Sequence, residues 1–598
     1  MRLRALLRIA APAAILGLAA RSAGPAPATV AAPRGDSRTT AFLHASVVPM
    51  DSERLLPDQT VVVSGSRILT LGPSPSTPVP PAAHRIDARG LFLMPGLADM
   101  HVHVYVPEEL TLYAASGVTT VFNLDGRPAH LLWRRRVASG ELFGPAIYTA
   151  GPTFRRPRSA DEAAQEVDRQ ADAGYDAVKI YNEVSRAEYP ALTAEAKRRN
   201  MILVGHVARE PGFAATLAAG QSIAHAEELV YTVFNDDPDP RHEVVHTLDT
   251  TKIPHAVAMT KEAGVSVIAT LVAFHNIVRQ ATNLPAYLRN PDLAFLAPFQ
   301  RELLEPAHNT YANRFAKETL PGLGVSYEFQ RQLVLALHDG GVPILAGTDA
   351  SWLGVPGTSL IEEVENFQDA GFTPYAALRT ATADAAALLR QEREFGTLRA
   401  GNRADLLVLR RNPLEDVHRL RDMAGVMVAG RWIPEAERRR LIEELPKAYA
   451  AGRRRLEALA ASDPPALDAY LSANDPLGAL SSALLRGRVR SAGGAASVVD
   501  MLRRVRQANP DSPMVSEETI NQLGYDLVGQ KSGEDALAMF RLNTELYPRS
   551  GNAYDSLAET YLGLGDKARA REYYAKALEV QPDYGNAKAA RAILDAKD

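Results

Sequence analysis

Between residues 159 and 225 every apolar strand carries, or ends on, a side chain able to bind a cation, and a helix separates each strand from the next. Ser159 with Glu162 three residues later makes a capping box. Ala163, Val167 and Gln170-Ala171 follow at helical spacing, and Gly174 sits where a helix-ending glycine belongs. Ala177 to Tyr181 then reads as a buried strand interrupted by Lys179. A helix through Tyr189, Leu192 and Ala196 leads to the strand Met201–Gly205, which ends at His206. Helix 211–219 leads in turn to strand 222–224, which ends at His225. Strands that alternate with helices form βαβ units, hence a parallel sheet. In parallel barrels the carboxyl ends of the strands carry the chemistry. The same alternation runs from about 91 to 390, with a last apolar strand at Val342–Ala346 before Gly347-Thr348-Asp349 and closing helices at 359–370 and 374–390. An α/β chain with a (β/α)8 TIM barrel over 91–390 is expected.

The flanks read differently. Residues 41–90 hold short apolar stretches, among them Val61-Val62-Val63 and Ile68–Leu71, between Gly, Pro and Ser. Short strands return at 395–433, so 41–90 and 391–433 are expected to pair in one composite β-sandwich domain. Segments 226–262 and 271–330 exceed a minimal crossover and are expected to form loops or lids over the barrel mouth. Residues 434–515 read as a helical connector, and 516–598 as an all-α tail. Setting Pro548 against Pro582 aligns Leu523 with Leu557, Leu527 with Tyr561, Ala536 with Ala570, Phe540 with Tyr574 and Gly524 with Ala558. That spacing resembles tetratricopeptide (TPR) repeats over roughly 517–584. Helices at 485–508 and 586–597 are expected to cap them.

Bulk properties narrow the function. The net charge of -4 provides no field favouring nucleic acid. There is no cysteine, so disulfides, thiolate nucleophiles and Cys-based metal sites are excluded. Arg2, Arg4 and Arg8 precede an apolar stretch from Ile9 to Ala20 and an Ala26-Pro27-Ala28 cleavage pattern. Residues 1–28 therefore read as a signal peptide, with export to the periplasm or medium and no stable membrane insertion after cleavage.

His101 and His103 stand two apart after Leu91-Phe92-Leu93-Met94-Pro95-Gly96, so both imidazoles can meet one metal. A lysine inside an apolar strand is costly unless paired or modified. Taken together, Pro95-Gly96-Leu97-Ala98-Asp99-Met100-His101-Val102-His103, Gly117-Val118-Thr119-Thr120, Val178-Lys179-Ile180-Tyr181, Gly205-His206-Val207, Ile223-Ala224-His225-Ala226 and Ala346-Gly347-Thr348-Asp349-Ala350 resemble the amidohydrolase superfamily. The likeness is to its prolidase-like and imidazolonepropionase-like branch. It implies two divalent metals, with zinc the expected ion. His101, His103 and Asp349 would hold the more buried metal, His206 and His225 the second, and a carbamate on Lys179 would bridge them. It further implies that Asp349 acts as general base and then acid while water attacks an amide-like carbonyl of a small-molecule substrate.

Tyr231 and His275 are expected substrate contacts, with plain packing as the alternative for each. Two departures from relatives argue against a strict Xaa-Pro or Xaa-Arg dipeptidase. Phe122-Asn123-Leu124-Asp125 stands where an Arg-Asp pair is common, and a basic loop with Arg155, Arg156 and Arg158 replaces a Gly- and His-rich stretch. Competing readings are a lactonase or phosphoester hydrolase on the same site, and an idle barrel whose repeats recruit a protein or peptide partner.

Overall fold

The computed structural model describes residues 39–235, 248–350, 353–489, 494–529 and 531–595. The expected signal peptide lies outside them. The described chain opens with five strands, β1 (Thr40–Val47), β2 (Leu56–Ser64), β3 (Arg67–Pro73), β4 (His84–Asp87) and β5 (Phe92–Pro95). Eight parallel strands follow: β6 (Leu97–Val102), β7 (Val118–Asn123), β8 (Ala146–Thr149), β9 (Ala177–Ile180), β10 (Ile202–Gly205), β11 (Ser222–Ala224), β12 (Val267–Ile268) and β13 (Ile344–Leu345). The chain then returns through β14 (Leu406–Leu409), β15 (Met423–Val428) and β16 (Arg431–Pro434).

Strands β6 to β8 pair in order, and so do β9 to β13. Two isolated parallel bridges, Ala150 to Ala177 and Val102 to Ala350, join the two runs at both ends and close the ring. The Met100 N–H donates to the Ala346 carbonyl at 3.0 Å across the second seam. The interior is packed, with Met100, Phe122, Val204, Ile268 and Leu345 in one cluster that Ala386, Leu389 and Phe395 also join. This is the filled core of a (β/α)8 barrel. Ser159 caps helix Ala160–Ala173 by accepting from the Glu162 N–H, and Gly174 ends it at φ 90°.

The segments before and after the barrel build one continuous eight-stranded sheet, in which β5 pairs with both β1 and β14. Along the sheet order β1 and β16 are four steps apart, about 19 Å at the usual ~4.8 Å strand spacing. Yet the rings of Phe42 on β1 and Trp432 on β16 lie 5.2 Å apart, edge to face. The sheet must therefore curl over its own core of Phe42, Val61, Val63, Leu93, Leu406 and Val408, which is how a single sheet makes a sandwich.

Structure departs from expectation mainly in the long segments. Residues 271–330 are largely helical, with helices at Leu271–Tyr287, Pro298–Leu304 and the start of Leu320–Asp339. The expected helix 374–390 is two helices, Pro374–Thr380 and Ala383–Leu388, broken where Thr382 takes φ -136° and ψ -98°. The connector is no spacer. Its first helix, Glu435–Ser462, sends Leu441 into the barrel's outer core, and Leu445 and Tyr449 pack with Phe299 and Leu304. The repeat helices are Glu517–Gly529, Gly533–Leu546, Gly551–Gly563 and Lys567–Val580. Apart from the exposed Pro548 and Pro582, every residue of the matched pairs is buried, and a Cβ on Gly524 would come within 2.4 Å of the Phe540 ring, which explains the small residue there. In place of one capping helix at 485–508 stand Ala479–Val489 and Gly494–Ala508, while Ala587–Asp595 follows the repeats. Among the described residues no helix is long and apolar enough to cross a membrane.

Candidate metal centre

Strand ends bring the polar side chains together. The β6–β7 register shifts between Asp99 and Val102, where His101 sits, and such irregularities re-aim side chains near active sites. On the opposite side of the seam, the Asp349 N–H donates to the His101 carbonyl at 2.7 Å. Gly347 permits that approach, because a Cβ there would meet the Ile268 side chain at 2.5 Å and His101 Cβ at 2.9 Å. His225, Thr270 and Asp349 all hold left-handed backbone, with φ of 75°, 51° and 49°. Non-glycine residues adopt this conformation only where the surroundings enforce it, and such strain clusters at functional sites.

The ligand atoms of His101, His103 and Asp349 lie within 4.8 Å of one another. His103 Nε2 is 3.0 Å and His101 Nε2 3.4 Å from Asp349 Oδ1. The Lys179 amine, on a side chain 2% exposed, is 3.4 Å from His101 Nε2. The rings of His101 and His225 stand 4.6 Å apart and those of His225 and His206 4.8 Å apart. All six expected ligands therefore line one cavity. Tyr231 lines it too, 5.4 Å from the Arg209 guanidinium. His275 does not. It stacks on Tyr327 at 4.5 Å with the phenol oxygen 3.3 Å from its Nδ1, while its neighbours Ala273, Phe274 and Ile277 face the cavity. The helical turn aims it into packing.

Burial sets the charge states. It holds the His225 imidazole down to about 3 and keeps those of His101 and His206 below their usual range, so all three are neutral donors. For Asp349 burial opposes ionisation, but the surrounding imidazoles outweigh it and hold the carboxyl well below the usual range. Burial also pushes the Lys179 amine down to about 8. Neutral imidazoles and a carboxylate beside a buried amine are the chemistry of a cation site. The buried His101 Nδ1, which has no hydrogen-bond partner among the described residues, fits the same reading.

A second layer of residues escapes sequence reasoning. Buried Glu228 accepts from the Val207 N–H at 3.1 Å, from Asn182 Nδ2 at 3.1 Å and from Arg209 at 2.7 Å. His206 Nδ1 lies 3.0 Å from the same carboxylate. Asp99, pushed up to about 7 by burial, accepts from Thr348 N–H and Oγ1 and from the His101 N–H, which ties β6 to the loop after β13. His225 Nδ1 is 2.8 Å from Thr270 Oγ1. An acidic residue one helical turn after the His225 strand end was the available signal for Glu228. Groups of this kind fix ring orientation, and Glu228→Gln is expected to weaken divalent-metal affinity ~10–100-fold, read by chelator competition.

The model for "Amidohydrolase family" matches residues 92–433, and that for "Tetratricopeptide repeat" matches 551–584. No curated protein matches the chain. Among solved structures, a Xaa-Pro dipeptidase with bound methionine is 20% identical, with a TM-score of 0.52, over 66% of this chain and 100% of its own. A putative prolidase from Bifidobacterium longum is 25% identical, with a TM-score of 0.52, over 68% and 99%. Bottromycin amidohydrolase is 23% identical, with a TM-score of 0.56, over 70% and 95%.

Proposed function

The chain belongs to the amidohydrolase family and is a hydrolase acting on carbon–nitrogen bonds, and from that premise we propose that it cleaves a small amide, cyclic amide or dipeptide-like molecule at a two-metal site. The observation that carries this reading is that His101, His103, Lys179, His206, His225 and Asp349 line one cavity, in which the ligand atoms of His101, His103 and Asp349 lie within 4.8 Å of one another. His101, His103 and Asp349 would hold one cation, and His206 with His225 the other. The N/O donor set suits zinc. Lys179, whose amine burial holds down to about 8, has a larger neutral fraction near neutral pH than an ordinary lysine and would carry a carbamate shared between them. When bound, such cations supply Lewis acidity, polarising a carbonyl and bringing the pKa of water to about 7.

The protein's own groups do the rest. Asp349 takes a proton from the attacking water and passes it to the leaving nitrogen as the C–N bond breaks. Asp99 and Glu228 keep the ligand rings in register, and Tyr231 presents its phenol to the substrate. We propose further that the protein is exported, and that its repeat region offers a surface for a protein or peptide partner.

A panel of N-acyl amino acids, dipeptides, lactones and phosphotriesters tests the reading. Metal-dependent turnover of the C–N substrates is expected to exceed that of the esters. Preference for lactones or phosphotriesters would overturn the bond assignment, and no metal-dependent turnover of any class would leave the barrel a scaffold.

A further inference from the structure

The catalytic cavity, about 940 Å³, is not enclosed by the barrel alone. Leu477, Ser482, Ser516, Thr519 and Gln522, all from the C-terminal helical region, line the same space as His101 and Asp349. Thr519 and Gln522 are three apart on helix Glu517–Gly529, the first helix of the repeats, and therefore share one face. Ser482 lies on helix Ala479–Val489, just after the Pro476-Leu477-Gly478 turn that also reaches the cavity.

The region is anchored to the barrel independently of any substrate. The Trp133 indole N–H donates to the Ala473 carbonyl at 2.9 Å. Arg486, only 13% exposed, pairs with Glu302 at 3.3 Å beside the barrel and with Asp526 at 2.9 Å on the repeat helix. Ala479, Leu480 and Ala483 pack on the cluster that holds Phe299, Leu304 and Leu445. The wall is thus fastened on either side of the turn that reaches the cavity.

We infer that helix Glu517–Gly529 and the segment 476–482 are specificity-determining elements of the catalytic site, closing it to extended peptides and confining turnover to compact substrates. The inference rests on the hydrolytic reading. The cavity falls within the roughly 300–1,000 Å³ of small-molecule sites. An extended peptide, advancing about 3.3–3.6 Å per residue, has to pass this wall to lie across the metals. The wall presents the hydroxyls of Ser482, Ser516 and Thr519, the Gln522 amide and the Glu518 carboxylate beside Pro476, Leu477 and Pro513, a mostly polar lining that suits a small polar molecule. One face of the first repeat helix is accordingly committed to the active site.

The full-length protein carries the test. Gln522→Trp and Ser482→Trp are each expected to raise KM for a dipeptide-sized substrate at least tenfold with kcat within twofold, while Glu572→Trp, on the later helix Lys567–Val580, changes neither. Gln522→Ala is expected to raise kcat/KM several-fold for a pentapeptide bearing the same scissile bond, which wild type cleaves at least tenfold less efficiently than the dipeptide. Equal wild-type cleavage of both lengths, or tryptophan variants that match Glu572→Trp, would overturn the proposal. Because the chain has no cysteine, Arg155→Cys with Gln522→Cys gives a unique pair across the cavity for a short bismaleimide, read by mass. Cross-linking of this pair, but not of Arg155→Cys with Glu572→Cys, is expected. Its failure overturns the wall, whereas a formed cross-link without any C–N turnover overturns the hydrolytic reading and leaves the wall in place.

Discussion

Replacing Asp349 by asparagine is expected to lower kcat/KM by at least about 10²–10⁴-fold, the span that a positioned proton-transfer group supplies, with the circular dichroism spectrum unchanged. The amide keeps the carboxylate's shape but neither accepts the proton of water nor offers a charge to a cation. Asp349 Oδ1 lies close to two imidazoles, so the substitution also removes the one carboxylate of the His101–His103 cluster. Two readouts separate these roles. Metal content falling by one equivalent reports the lost ligand. A residual rate that saturating metal does not restore reports the lost proton carrier. An Asp349→Asn protein as active as wild type would overturn the assignment.

Lys179→Met is expected to cost at least ~100-fold in activity and to leave at most one tightly bound metal per chain, measured by elemental analysis after gel filtration. Methionine matches the lysine stem and fills the same space, so packing is preserved. Thermal stability of the metal-free protein is expected to stay level or rise, because burial beside His101 disfavours the charged amine. Loss of activity with retained stability separates a ligand role from a structural one. In wild type, metal reconstitution is expected to speed up with added bicarbonate, as a carbamate requires. A bicarbonate-independent wild type that keeps two metals would leave Lys179 as a plain amine.

That the six expected ligands line one cavity was legible in the sequence because strand-end placement is local. Strand ends, the i, i+2 spacing of His101 and His103, and the glycine before Thr348-Asp349 are each set within a few residues. His275 marks where local reading fails. It stands seven residues past the end of β12, where His206 directly follows β10, and it lies on helix Leu271–Tyr287, whose rotation turns it towards Tyr327. Asp99 was in plain view inside a recognised motif, yet its partner Thr348 is 249 residues away. Nothing in the spacing of either residue announces that contact.

From sequence alone came the alternation of strand and helix, the paired flanking strands, the 34-residue repeat and the six side chains that line one cavity, because periodicity and strand-end position depend on neighbours in the chain. Only the folded molecule decided that two lone bridges close the barrel, that one sheet curls into a sandwich, and that the repeat region forms part of the catalytic wall. Those features rest on contacts such as Trp133 with Ala473, 340 residues apart. Such contacts follow from the packing of whole elements, and no short pattern of residue types encodes them.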